Sequence, residues 1–263
     1  MTSTLFVWSI FQLFLLPGIA NIVLRPEAEL TRQCYDFPGT DFGRTNNVRL
    51  KYGSSPHLML DVGDIAINFT LPSVRGQSIN LGDMLKDKAV LLMWGHWTCP
   101  AFQGFHSDTT FMYSSYNEEN YLVQTYGQYL TILHFIGPEP HPAWPYANFD
   151  SGTLRMNLWS TIKQPQTFAE RLSLSVSPVL KVLHEDIIVI PEPLDNNNSP
   201  INGTEPANNP IWCSYANGAR SAILVGQSGV VLAAQTWFQR EDLERIILNL
   251  VVGTRATTGT NEL

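Results

Sequence analysis

Apolar residues run along this chain in short unbroken stretches separated by Gly, Pro and Asn, a pattern that reads as buried strands linked by helices. Ala89 to Trp94, AVLLMW, is one such run, and Tyr129 to Ile136, YLTILHFI, is a second. Continuous apolarity, rather than strict alternation, is what a strand covered on both faces shows. Gly95 ends the first run, and Pro100 stands where a first helical turn accepts a residue without an N–H. The spacing therefore predicts a helix from Cys99 to about Tyr116. Strand, helix and strand in this order form a βαβ unit with parallel strands, and loops at the carboxyl ends of such strands converge on one crevice. Cys99 and Glu139-Pro140-His141 both fall at carboxyl ends, so the topology can bring them together. Ahead of this unit, Val62 to Leu71 reads as a short strand, Gly76 as a turn, and Ile79 to Met84 as a return strand with a helical turn. Behind it, Phe168 to Leu174 reads as a helix and Val179 to Leu183 as a further strand. Arg220 to Gly226 and Val230 to Gln235 flank Gln227-Ser228-Gly229 as a hairpin. Glu241 to Val251 closes the domain as an amphipathic helix with Leu243, Ile246, Ile247 and Leu250 on one face.

The ends follow different rules. Leu5 to Leu24 carries no charge over about 20 residues, the length that spans a hydrocarbon core as a helix. Positive charge follows it at Arg25, Arg32, Arg44, Arg49 and Lys51, and no basic stretch precedes it. By the positive-inside rule this predicts a single-pass endomembrane or plasma-membrane anchor in residues 1–24 with the domain on the cytosolic side. A cleaved signal ending near Gly18-Ile19-Ala20 is the alternative. In that case the domain is lumenal and the sequons at Asn68, Asn197 and Asn202 become relevant. Residues 25–57 read as a linker, 58–252 as the folded domain, 190–210 as an exposed insertion rich in Pro and Asn, and 253–263 as a flexible tail. Pro142 to Asn157 gathers Trp144, Tyr146 and Phe149, with Trp159 close behind, as a pocket wall or as packing under a long loop.

Composition narrows the function. In 263 residues, 16 basic against 23 acidic side chains give a net charge of −7, and no run of Lys or Arg offers a nucleic-acid patch. The cysteines, Cys34, Cys99 and Cys213, are too few and too scattered for a disulfide framework or a metal site, which leaves redox chemistry for one of them. A cysteine at a helix N-terminus meets unpaired N–H groups and a positive dipole end, which favour the thiolate. Cys99 is thus the candidate nucleophile, with His96 and His106 within sequence reach; a buried, inert thiol is the competing reading.

The residues around Cys99 also resemble a known family. The order strand, Cys-Pro-helix, strand, helix, hairpin, helix is similar to the thioredoxin-type α/β fold, a central mixed sheet flanked by helices. Val62-Gly63-Asp64 to Leu81 resembles the lead-in of peroxiredoxin-like proteins. More specifically, Gly95-His96-Trp97-Thr98-Cys99-Pro100-Ala101-Phe102 resembles the selenocysteine motif of the iodothyronine deiodinases, with Cys99 at the selenocysteine position. Glu139-Pro140-His141 resembles that family's E-A-H, and Ile162 to Leu172 and Tyr215 to Gln235 resemble two later segments. An N-terminal anchor is also a family trait. The resemblance implies Cys99, His141 and Glu139 as catalytic residues and Trp97, Phe102, Trp144 and Arg220 as substrate-binding ones. It implies no bound cofactor, no metal, an external thiol as reductant and, from the family alone, a homodimer. Trp97 replaces the family's nearby cysteine, Pro165 its second histidine, and Gly218-Ala219 its Pro-Glu before the arginine. The expected activity is reductive deiodination of iodothyronine-like substrates by cysteine. A peroxiredoxin-like thiol peroxidase and a catalytically idle thioredoxin-fold binding module are the alternatives.

Overall fold

The structure, a computed structural model, describes residues 21–30, 60–99, 102, 105–106, 110–111, 114–137, 139, 162–163, 165, 167–192, 210–215, 220–235 and 237–258. For 105–106, 110–111, 210, 212–213 and 251–258 it describes the backbone alone.

The two apolar runs form the centre of the sheet. β3 (Ala89–Trp94) and β6 (Leu130–Ile136) pair in parallel, with Met93 opposite His134 and Trp94 opposite Phe135. β7 (Ile188–Pro191) adds to β6 in parallel, and β8 (Ala222–Val225) adds to β3 in the antiparallel sense. β9 (Val231–Gln235) completes the hairpin, giving the order β7-β6-β3-β8-β9. Alternate residues of β3 feed two cores: Leu91 and Met93 on one face, Val90, Leu92 and Trp94 on the other. Each fully buried Leu, Ile or Val contributes about 1.5–3 kcal/mol, so the central strands dominate the stability.

One core is covered by α2 (Ser115–Tyr126) and α5 (Arg240–Thr258), whose Leu243 and Ile247 are buried as the amphipathic pattern predicts. Tyr121 and Tyr126 of α2 both donate to Glu244 of α5, at 3.0 and 2.6 Å. The other core is covered by β1 (Thr70–Pro72), β2 (Ser78–Asn80), α1 (Leu81–Leu85) and α4 (Pro210–Tyr215). Asn80 caps α1 by accepting from the Asp83 N–H, and Trp94 stacks on Phe135 at 5.0 Å. α3 is a continuous helical stretch made of Phe168–Glu170, a π-helical Arg171–Val176 and Ser177–Val179, capped by Thr167 accepting from the Glu170 N–H.

Several expectations are corrected. No helix runs from Cys99 to Tyr116: Phe102 lies in a turn, β4 (Phe105–His106) and β5 (Thr110–Phe111) pair as a small antiparallel ribbon, and α2 begins only at Ser115. Val179 to Leu183 is no strand but the end of α3 and a turn; the strand follows at Ile188, where β-branched residues resume. Ile190, Pro191 and Glu192, placed by sequence in an exposed insertion, are buried at the edge of the sheet. Residues 25–30, expected in a linker, dock on the domain. Arg25 bridges Ile67 in parallel, and the Val23 N–H donates to the Ser228 carbonyl. This contact explains Gly229, which has φ +89° and on which a Cβ would sit 1.9 Å from the Val23 carbonyl oxygen. α5 continues to Thr258, past the expected start of the tail. Among the described residues no helix is long and apolar enough to cross a membrane, and Leu5 to Ala20 lie outside them.

Candidate functional site

Cys99 sits in the loop that leaves the carboxyl end of β3. Gly95 opens this loop with its N–H donating to the Phe135 carbonyl, and Cys99 N–H closes a turn onto the His96 carbonyl at 3.1 Å. The loop is tied to the end of β6 by a carboxylate. Glu139 Oε2 accepts from the Thr98 N–H at 2.8 Å and from the Thr98 hydroxyl at 2.7 Å. The topology thus brings the Cys99 loop and the Glu139 segment together.

Glu139 is 2% exposed, and burial pushes its carboxyl upward, against the opposing pull of Ser175, Thr98 and the nearby Arg171. The π-helical turn of α3 carries both Arg171 and Ser175. Arg171 donates to the Glu192 carbonyl at 2.6 Å, and Glu192 accepts from Trp94 Nε1 at 2.9 Å, so a buried polar network runs behind the loop from β7 to Glu139. Because the folded value of Glu139 lies above its ordinary 4.5, the stability linked to its protonated form is complete below that pH and is lost as pH rises through the folded value. Glu139→Gln keeps an oxygen acceptor for Thr98 and cannot ionise. In denaturant titrations it should therefore gain stability relative to the wild type as pH rises from 4.5. A gap that instead widens in favour of the wild type would contradict this reading.

Arg220, which precedes β8, is 2% exposed. Its Nε donates to the Ser115 hydroxyl at 2.8 Å and its Nη2 to Glu118 at 3.3 Å, while the guanidinium lies over Trp237 at 5.1 Å. Burial lowers its affinity for the proton; Glu118 and, next, Cys99 restore it, which places the cation within electrostatic reach of the thiol. The helix that follows begins only at Ser115, so the helix-dipole argument for a reactive Cys99 lapses. Arg220 Nη1 has no hydrogen-bond partner among the described residues.

Cys99 itself is 3% exposed. Trp97, expected at the substrate, stacks on Tyr116 at 6.5 Å. Phe102, expected there too, is fully buried between Tyr116 at 5.0 Å and His134 at 5.9 Å, which makes it a core residue. His141 and Trp144 lie outside the described residues, as do Cys34 and the side chain of Cys213.

Sequence reasoning passed over three side chains beside the loop. Tyr116 and Glu119 of α2 and His134 of β6 are all buried, and His134 Nδ1 meets Glu119 Oε2 at 2.8 Å. The visible signal was a histidine inside an apolar strand and a pair of acids on a helix that covers the core, both of which demand partners once buried.

No protein-family model matches the chain. No curated protein matches it either. Solved structures give distant likenesses. A chain described as a DsbE-type thiol:disulfide interchange protein from Chlorobium tepidum is 17% identical, with 72% of this chain and 97% of that chain covered at a TM-score of 0.42. The exposed lipoprotein thioredoxin of Streptococcus pneumoniae is 13% identical over 69% of this chain and 98% of that chain, with a TM-score of 0.41. A thioredoxin-like protein from Aeropyrum pernix is 13% identical over 69% and 89%, with a TM-score of 0.39. The fold assignment rests on the sheet itself: a parallel β3–β6 pair around the Cys99 loop, then an antiparallel hairpin and a closing helix, which is the order expected of a thioredoxin-like fold. The deiodinase resemblance rests on its motifs alone.

Proposed function

We propose that the protein is a thiol-dependent oxidoreductase in which Cys99 is the nucleophile, and that its reaction is reductive deiodination of an iodothyronine-like aromatic. The observation that carries this is the buried carboxylate of Glu139 clamping Thr98, next to Cys99, with the Arg220 cation in electrostatic reach of the sulfur. A cation near a thiol favours the thiolate, and a loop fixed from behind keeps the nucleophile in place.

The Cys99 thiolate attacks the iodine of the aryl–iodine bond. Sulfur gains iodine, and the ring carbon keeps the bonding pair and takes a proton from His141, which Glu139 orients. One external thiol then displaces iodide to form a mixed disulfide, and a second releases reduced Cys99 with an external disulfide. Trp97 and Trp144 are proposed to contact the aromatic substrate, and the apolar segment Leu5 to Leu24 to anchor the domain in a membrane. Peroxidase chemistry is the second reading, since the same thiolate can attack a peroxide oxygen to give a sulfenic acid and an alcohol.

Purified full-length protein supplied with a dithiol should release iodide from an iodothyronine and consume hydrogen peroxide far more slowly. Peroxide consumption without iodide release would select the peroxidase, and neither activity would leave the fold as a binding module.

A further inference from the structure

The N-terminal segment meets the domain at one end of the sheet. The Val23 N–H donates to the Ser228 carbonyl at 3.0 Å, and Arg25 then donates to Ala66 and accepts from Asn68. Ser228 lies in the turn after β8, and Val225 of β8 stands opposite Val90 of β3 in an antiparallel pair, so this turn borders the amino-terminal end of β3. Gln227 Nε2 ties it there by donating to the Asp87 carbonyl, just before β3, at 3.0 Å. Gly127, at the end of α2, borders the same edge and accepts from Lys88 at 2.8 Å. The Cys99 loop and Glu139 leave the opposite edge, where β3 and β6 end. Five residue steps of β3 separate the two edges, about 17 Å.

Two further observations fall at this amino edge. Ile22 and Leu24 pack against the core that holds Trp94 and Phe135, so the domain grips the chain from Ile22 onward. Before Asn21, the 20 residues from Met1 to Ala20 carry no charged side chain. The other observation is apolar exposure. Val23 is 55% exposed and Val62 65%, the two most exposed large apolar side chains among the described residues. Val62 belongs to the same edge as Val23, because the N–H of its neighbour Gly63 donates to the carbonyl of Val231, the first residue of β9.

Resting on the reading of the N-terminal apolar segment as a membrane anchor, we propose that the amino edge of the sheet is the surface by which the domain sits on phospholipid headgroups, and that the Cys99 loop opens away from the bilayer. A hydrocarbon span that ends by Ala20 leaves about 10 Å of extended chain to reach Val23, close to the depth of one headgroup layer. Val23 and Val62 then enter the interface with apolar side chains. The charges at this edge are mixed, since Lys86 pairs with Asp83 at 2.6 Å and Lys88 stands 3.9 Å from Asp87. The tether and the two valines therefore set the contact, and it does not require anionic lipid. Substrate and external thiol reach Cys99 from the aqueous side.

The test uses the full-length protein in phosphatidylcholine vesicles that contain nickel-chelating headgroup lipids. Cys34, Cys99 and Cys213 are replaced by serine, and one nitroxide-labelled cysteine is introduced by Val62→Cys or by Gln239→Cys, an exposed position beyond the other end of β9. Relaxation of the nitroxide by nickel falls steeply with distance. The label at 62 should lie nearer the headgroups than the label at 239 by about 13 Å, the rise of four residue steps of β9. Equal distances, or a nearer label at 239, overturn the proposed orientation and leave the anchor in place. Extraction of the protein from the vesicles by carbonate overturns the anchor and the orientation together. If the labelled variants do not fold, the wild type decides. Transfer from detergent to vesicles must slow acetylation of Lys86, beside the amino edge, relative to Lys163, which pairs with Glu170 where α3 starts near the end of β7. An unchanged ratio of the two rates overturns the orientation.

Discussion

Replacing Cys99 by serine should lower thiol-dependent turnover by at least about 10³-fold while the fold persists. The reason is chemical rather than structural. A serine hydroxyl is nearly isosteric with the thiol, yet its proton is held far too tightly for Arg220 to release it, and oxygen forms no stable bond to iodine that a thiol can then reduce. Loss of a nucleophile commonly removes nearly all of the catalysis above background, because the groups around it act only through it. Turnover and near-ultraviolet dichroism on the same sample check this: an unchanged spectrum with abolished turnover is expected, and retention of more than about a tenth of the activity would mean that another group attacks the substrate.

Gly95→Ala should be the most damaging single-methyl change near the site. The new Cβ would lie 2.1 Å from His134 Cε1 and 2.6 Å from Phe102 Cε1, both ring atoms held in a packed core. Neither ring can swing aside. His134 is fixed by Glu119, and Phe102 is wedged against Tyr116 at 5.0 Å. Overpacking of this kind costs about 1–3 kcal/mol, and the strain falls on the first residue of the Cys99 loop, where a displacement near 1 Å costs about 10²-fold in rate. Urea titration and turnover should both show the loss. In a His134→Ala background the closest clash is removed and Phe102, which packs edge-on against His134, gains room to yield, so the same substitution should be markedly less costly there. Equal costs in the two backgrounds would contradict the packing described here.

Much of this architecture is legible in the sequence where a run is long and uniformly apolar. AVLLMW and YLTILHFI read as covered strands, and Leu243 and Ile247 set the buried stripe of α5. The hairpin about Gln227-Ser228-Gly229 carries its own turn chemistry. What failed was the helix after Cys99. Pro100 is compatible with a first helical turn but does not impose one, and the chain forms the β4–β5 ribbon before helix geometry takes over at Ser115. Local composition also misplaced Ile190 to Glu192, because the Pro-rich stretch that follows masks the end of a short β-branched strand. The candidate site divides in the same way. Glu139 reaching the Cys99 loop follows from two strand ends on one edge, whereas the environment of Arg220 and the Glu119–His134 contact depend on pairings 102 and 15 residues apart, which no local pattern reports.

A single-turnover experiment bears most directly on Cys99-dependent deiodination. Fully reduced full-length protein, freed of external thiol and mixed with an excess of an iodothyronine, should yield about one deiodinated product per Cys99 and lose the alkylatable Cys99 thiol in step, and dithiol should then restore the thiol and restart product formation. Product in large excess over Cys99 without added thiol, or no product while Cys99 stays alkylatable, would contradict the account.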